Sequence, residues 1–346
     1  MAAAATPAGR PSPSAGSGAA PPVRVLYIGG CGRSGSTLLD RIVGQLPGAC
    51  SAGELVHIWR RGLLGNQLCG CGLPFHECPF WKEVGSSGYG GWDALDGERV
   101  AALQHRVDRN RYIPLMLQPR MDPSYRRRFE RYAAILERLY RGIHAASGAP
   151  VIIDSTKHSS TAYLLSQIPG VDLRVVHLVR DSRGVAYSWT KVVQKPEVVD
   201  GVAYMPRFPP VRMAARYDSY NLLFHALGRR GVPSLFMRYE ELVQHPRREV
   251  ERVLGLVPEM GGRGDLDYIG ESWVDLQPAH TVAGNPMRFE GGRLRLRPDE
   301  AWRDRLAPKE RALVTAITSP LLIGYGYMGR SGADRVPVHE RRPEET

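Results

Sequence analysis

Nine consecutive residues, Gly29-Gly30-Cys31-Gly32-Arg33-Ser34-Gly35-Ser36-Thr37, present main-chain N–H groups, hydroxyls and one guanidinium in a stretch with little to bury. A run of this kind ahead of a helix suits an anion. Its glycines let the backbone close tightly, and the first-turn N–H groups lie at the positive end of the helix dipole. Gly30 and Gly35 have the spacing of the triphosphate loop G-x-x-x-x-G-K-[ST], but Ser36 stands where the lysine belongs and Arg33 is the only cation. That lysine serves the β- and γ-phosphates, so its absence argues against a kinase. A plain βα turn, rich in glycine and serine, is the bland alternative.

A second candidate is the segment 175–188. An apolar run ends in Arg180-Asp181, and Asp181 is a natural N-cap for a helix that follows. Gly184 and Ser188, four apart, share a helix face, so a phosphate over Gly184 would meet the Ser188 hydroxyl and the Arg180 guanidinium. An ion pair between Arg180 and Asp181 or another carboxylate is the alternative. The cysteine loop 69–81 offers Cys69, Cys71, Cys78 and His76 as zinc ligands, although C-x-C is tighter than the usual spacing. A local disulfide or packed thiols are preferred there. No acidic pair typical of Mg²⁺ stands near the glycine loop, and no metal is expected.

The elements that must hold these groups follow from the apolar pattern. A short β-branched run over 23–28 stops at Gly29-Gly30, and Leu38, Leu39, Ile42, Val43 and Leu46 then recur at helical spacing until Pro47-Gly48. Further strands are expected over 151–153, 173–179 and 234–237, with helices over 161–168 and from Ser182. Strands alternating with helices predict an α/β fold, a P-loop-like three-layer sandwich around a parallel sheet with helical insertions, whose ligands gather at the carboxyl ends of the strands. Phe129, Tyr132, Leu136, Leu139 and Ile143 mark an amphipathic helix from Tyr125 with an arginine-rich outer face. The proline-rich stretch 192–210 is expected to be a mobile excursion near the site.

The core from Arg33 to Thr37 resembles the 5′-phosphosulfate loop of sulfotransferases, and the segment ending in Arg180 and Ser188 resembles the family's 3′-phosphate motif. Two weaker likenesses are Met237-Arg238-Tyr239-Glu240-Glu241-Leu242, in which Tyr239 would lie near the nucleotide, and His280 to Arg288, a late loop with Arg288 as its cation. The resemblance implies a transferase that moves a sulfonate group from 3′-phosphoadenosine 5′-phosphosulfate (PAPS) to an acceptor hydroxyl or amine, releasing PAP. It implies Arg33, Ser34, Gly35, Ser36 and Thr37 as the cradle. Gly53-Glu54 is similar to the Gly-Glu of tyrosylprotein sulfotransferases, which makes Glu54 the base. Its pKa would be shifted upward by Leu55, Val56, Ile58 and Trp59. Lys157 is expected near the bridging oxygen, and His158 is a weaker candidate, one residue short of the Lys-x-His of cytosolic members. Rival readings are a P-loop kinase needing Mg²⁺ and ATP, and a non-catalytic binder of sulfated or phosphorylated polymers.

Over 346 residues the net charge is +11, which suits an anionic ligand without choosing among them. No nucleic-acid-binding motif is present, and no apolar run is long enough to span a bilayer. Five cysteines, an odd number without an export signal, point to a reducing cytoplasm. Residues 1–22 read as a disordered tail, 23–330 as the sulfotransferase domain and 331–346 as a flexible C-terminal tail. The acceptor, whether small molecule, glycan or lipid, and the oligomeric state carry no signature.

Overall fold

The computed structural model describes residues 20–198 and 202–329; of the tails expected over 1–22 and 331–346, all but residues 20–22 lie outside the described residues. Five parallel strands form the central sheet: β1 (Val23–Gly29), β2 (Ala49–Gly53), β3 (Val151–Lys157), β4 (Val171–Val179) and β7 (Ser234–Arg238). Their order across the sheet is β2-β3-β1-β4-β7. A ribbon of β5 (Gln194–Lys195) with β6 (Ala203–Tyr204), and another of β8 (Trp273–Leu276) with β9 (Gly292–Arg295), stand apart from it.

The sheet is covered on both faces, as near-continuous apolar strands require. Val25 and Tyr27 of β1, Ile152 of β3 and Val175 of β4 enter one buried cluster, which the helix Pro123–Ser147 completes with Phe129, Tyr132, Leu136, Leu139 and Ile143. Leu26 and Ile28, Ile153, and Val176 and Leu178 enter the other, against the helices Ser36–Val43 and Pro246–Leu256. Among the described residues no helix is long and apolar enough to cross a membrane.

Two differences from the sequence pattern bear on the site. Strand β2 reads Ala-Cys-Ser-Ala-Gly, too small and polar to signal a strand, and owes its form to parallel pairing with β3. Strand β3 runs on to Lys157, past the apolar residues 151–153, because Asp154, Ser155 and Thr156 are buried and partnered. The excursion 192–210 holds the β5–β6 ribbon, and its Met205 Sδ takes a contact from Arg33 at 3.2 Å.

Candidate active site

The 33–37 loop, Glu54, Lys157, Arg180 and Tyr239 lie at or just past the carboxyl ends of the sheet strands. After β1 the chain turns at Gly30 (φ 132°), Arg33 (φ 73°) and Gly35 (φ 90°) before entering the helix Ser36–Val43. A Cβ on Gly30 would lie 2.2 Å from the Leu178 carbonyl oxygen, and one on Gly35 2.4 Å from the Tyr239 ring, so both turns need glycine. Gly35 caps the helix without a side-chain hydrogen bond, which leaves the first-turn N–H groups available. Ser34 Oγ and Arg33 Nε are buried and without a hydrogen-bond partner among the described residues. Burial also draws the Arg33 pKa down. Orphaned donors beside an uncapped helix end fit an anion. The neighbouring Cys31 thiol, pushed up to about 12 by burial, is a packing group.

Arg180, past the end of β4, reaches the same loop. Its NH1 donates to the Arg33 carbonyl at 3.4 Å, and its guanidinium lies 4.7 Å over the Tyr239 ring, the ring that covers Gly35. Asp181 caps the helix Ser182–Ser188 by accepting from Arg183 N, and it pairs with Arg183. Arg180 pairs instead with Asp299, whose carboxylate stands 3.1 Å from Arg180 NH2 and 3.1 Å from Lys191 Nζ. A Cβ on Gly184 would lie 3.2 Å from Arg180 Nε, so the helix must pass close to the guanidinium, and Ser188 ends that helix half-buried. Lys191 and Asp299 are residues that sequence spacing does not connect; only the fold brings 191 and 299 to Arg180.

Glu54 and Lys157 meet across the β2–β3 edge. Lys157 Nζ donates to Glu54 Oε1 at 2.5 Å and to the Ser155 carbonyl at 2.9 Å, with the two side chains 13% and 14% exposed. Lys157 itself sits in the left-handed region (φ 71°), a costly conformation for a residue with a Cβ. Gly53 (φ 78°) lets residue 282 approach: a Cβ there would be 2.6 Å from the Val282 carbonyl, which accepts from Glu54 N at 2.8 Å. A Cβ on Gly284 would lie 3.7 Å from Glu54 Oε1 and 3.8 Å from Thr37 Oγ1, which sets Glu54 and Thr37 both beside this residue.

The pKa expected of Glu54 is reversed. Burial pushes it up, but the Lys157 ammonium, with His57 and Arg61, outweighs burial and holds it down at about 2. The apolar neighbours invoked for an upward shift face the core instead: Leu55, Ile58 and Trp59 belong to the buried cluster under the sheet. His57 Nε2 stands 3.5 Å from Glu54 Oε2, a contact the sequence did not signal. His158 lies edge-on to His57 and to Tyr220, both at 6.2 Å, and burial draws it down to about 4. Asp154 is buried within β3, accepting from Tyr140 OH at 2.6 Å and Thr156 N at 2.9 Å.

Arg288 is 2% exposed and donates to the Thr281 and Leu68 carbonyls, both at 2.6 Å, which makes it a clamp between the late loop and the cysteine loop, while its Nε is buried without a hydrogen-bond partner among the described residues. No disulfide forms there, since all five cysteines are free. His76 turns away, its Nε2 2.9 Å from the Leu63 carbonyl.

Residues 25–257 match the family model described as the sulfotransferase domain. The chain belongs to the sulfotransferase family. Its match runs from within β1 through the helix Pro246–Leu256, and therefore includes the 33–37 loop, Arg180 and the Glu54–Lys157 pair. Three solved sulfotransferases are distantly similar. The sulfotransferase domain from the curacin biosynthetic pathway shares 15% identity at a TM-score of 0.43, over 87% of this chain and 98% of that one. Sulfotransferase STF9 from Mycobacterium avium shares 14% at 0.39, over 88% and 77%. STF1 from Mycobacterium tuberculosis H37Rv shares 12% at 0.36, over 71% of each chain. No curated protein matches. The family transfers sulfonyl groups and generally takes them from PAPS.

Proposed function

We propose that this sulfotransferase moves the sulfonate of PAPS directly onto an acceptor hydroxyl or amine, with the domain extending from 23 to 330. The reading rests on one relationship: Arg180 and the Arg33–Thr37 loop lie on one sheet edge, joined by the Arg33 carbonyl and the Tyr239 ring, with the Glu54–Lys157 pair beside Thr37.

Bound PAPS would supply a sulfonate activated by its anhydride link to the 5′-phosphate. Ser34 Oγ, Arg33, the Ser36 and Thr37 hydroxyls and the uncapped helix amides would hold the phosphosulfate end. Arg180, Lys191 and Ser188 would take the 3′-phosphate, displacing the carboxylate of Asp299, and Tyr239 would support the nucleotide. Lys157 Nζ would turn from Glu54 toward the oxygen that leaves sulfur, meeting the charge that develops there. Glu54, released from its ammonium, becomes a stronger base and takes the acceptor proton as the new bond to sulfur forms and the old sulfur–oxygen bond breaks. His57 and His158, drawn down to about 3 and about 4 by burial, stay neutral and flank the acceptor.

The test is transfer of radiolabelled sulfonate from PAPS to a mixed pool of small-molecule, glycan and lipid acceptors, with PAP binding followed by calorimetry. Sulfonated product, with PAP bound to wild type, supports the reading. ATP hydrolysis without sulfonate transfer would replace it with the kinase.

A further inference from the structure

Three thiols and an imidazole converge where the cysteine loop meets the segment at His280. Cys78 Sγ lies 3.7 Å from Cys69 Sγ, 3.7 Å from Cys71 Sγ and 3.3 Å from His280 Nδ1, and that nitrogen is 3.9 Å from Cys69 Sγ. All four atoms are within 4.8 Å of one another. These separations are too long for a disulfide, whose sulfurs sit about 2.05 Å apart. They match the edges of a tetrahedron around zinc: with Zn–S near 2.3 Å and Zn–N near 2.0–2.1 Å, S···S comes to about 3.8 Å and S···N to about 3.5 Å.

The backbone is arranged to make this cluster. Cys69 N bonds to the Leu73 carbonyl at 2.8 Å and Gly72 N to the Cys69 carbonyl at 2.8 Å, a tight turn that carries Cys69 and Cys71 on one side. Cys78 N bonds to the Pro74 carbonyl at 2.9 Å, which places it at the start of the helix Pro79–Tyr89. His280 arrives from a segment about two hundred residues away, its ring stacked on Phe80 with centroids 5.0 Å apart and planes at 16°. Gly70 N bonds to the Thr281 carbonyl at 2.9 Å beside it.

We propose that Cys69, Cys71, Cys78 and His280 bind a structural zinc ion that ties the segment 280–284 to the cysteine loop. Four protein ligands close the coordination shell, so the ion has no open position for substrate. Its effect on the site is mechanical. The tied segment pairs Val282 with Gly53 and lays Gly284 against Glu54 and Thr37, so the metal fixes the wall behind the acid–base pair. Arg288 reinforces the same junction through the Thr281 and Leu68 carbonyls.

Elemental analysis of the full chain, purified under reducing conditions without chelator, should find one zinc per chain. Replacement by cobalt should give the intense visible and thiolate charge-transfer bands of a tetrahedral thiolate site. His280→Ala and Cys71→Ser should lose the ion on dialysis, whereas His280→Cys and His76→Ala should keep it. Wild-type protein that neither holds zinc as purified nor takes it up from added Zn²⁺ would overturn the site, as would a mass two hydrogens short from a disulfide among Cys69, Cys71 and Cys78. Retention of zinc by His280→Ala together with its loss from His76→Ala would overturn the ligand set. The wild-type measurements need no variant to fold, and a metal result leaves the PAPS reading untouched in either direction.

Discussion

Glu54 Oε1 stands 2.5 Å from Lys157 Nζ, so the carboxylate best placed to accept a proton is also the counter-ion of the ammonium best placed to steady a leaving group. In the proposed mechanism each would keep the other quiet until an anion drew the lysine away. Glu54→Gln removes the base but keeps the shape and the loop, so turnover should fall roughly a hundred- to ten-thousand-fold, the range for a positioned acid–base group. PAP affinity by calorimetry should stay near wild type. Normal turnover by the Glu54→Gln variant would end the assignment.

Lys157→Met tests the coupling by its sign. With the ammonium gone, the largest force opposing burial is removed, and the Glu54 pKa should rise from about 2. The acid limb of the single-turnover pH profile should move up accordingly, and the residual rate should be low even above it. In wild type the depressed pKa also stabilises the fold: the contribution is complete above about pH 4.5 and is lost as pH falls through 2. Urea titrations should therefore show the gap between wild type and Glu54→Gln narrowing over that window.

Arg180 and Asp299 give opposite expectations. Arg180→Ala removes a charged hydrogen-bond donor and should weaken PAP binding by about 1.5–3 kcal/mol, roughly tenfold to a hundredfold. Asp299→Asn removes the carboxylate that Arg180 and Lys191 hold at 3.1 Å each, the contacts a phosphate would compete for. PAP should then bind a few-fold tighter, about what a partly exposed ion pair is worth. Weaker binding by Asp299→Asn would show that the aspartate positions the cations instead of screening them.

What the sequence disclosed divides by distance along the chain. The glycine loop and Arg180 were legible because local rules govern them: apolar strands end where glycine, or arginine with a capping aspartate, begins. Strand β2 was hidden because its small residues carry no strand signal and its form comes from β3. The Glu54 pKa was read backwards because its neighbours in sequence are apolar while its neighbour in space, Lys157, is 103 residues away. The fourth member of the thiol cluster was sought nearby at His76 and is His280, 202 residues from Cys78. Arg288 shows the same limit, since its motif did not reveal that two of its nitrogens would donate to the Thr281 and Leu68 carbonyls.

Asp40 links the loop's helix to the sheet, accepting from Ser51 Oγ at 2.5 Å and Ser155 Oγ at 2.6 Å in full burial. Burial raises its pKa from 3.8 to about 6 despite those two hydroxyls. A raised carboxyl pKa stabilises the fold fully below pH 3.8, and the benefit fades as pH rises through 6, where the native state must hold a buried charge. Asp40→Asn has no proton to lose, and the serine hydroxyls can turn to accept from its amide. Its stability relative to wild type should therefore improve between about pH 4 and pH 8, by on the order of 3 kcal/mol if the whole shift is realised. Denaturant midpoints across that range are the measurement, and a constant difference throughout it would mean that Asp40 does not titrate there.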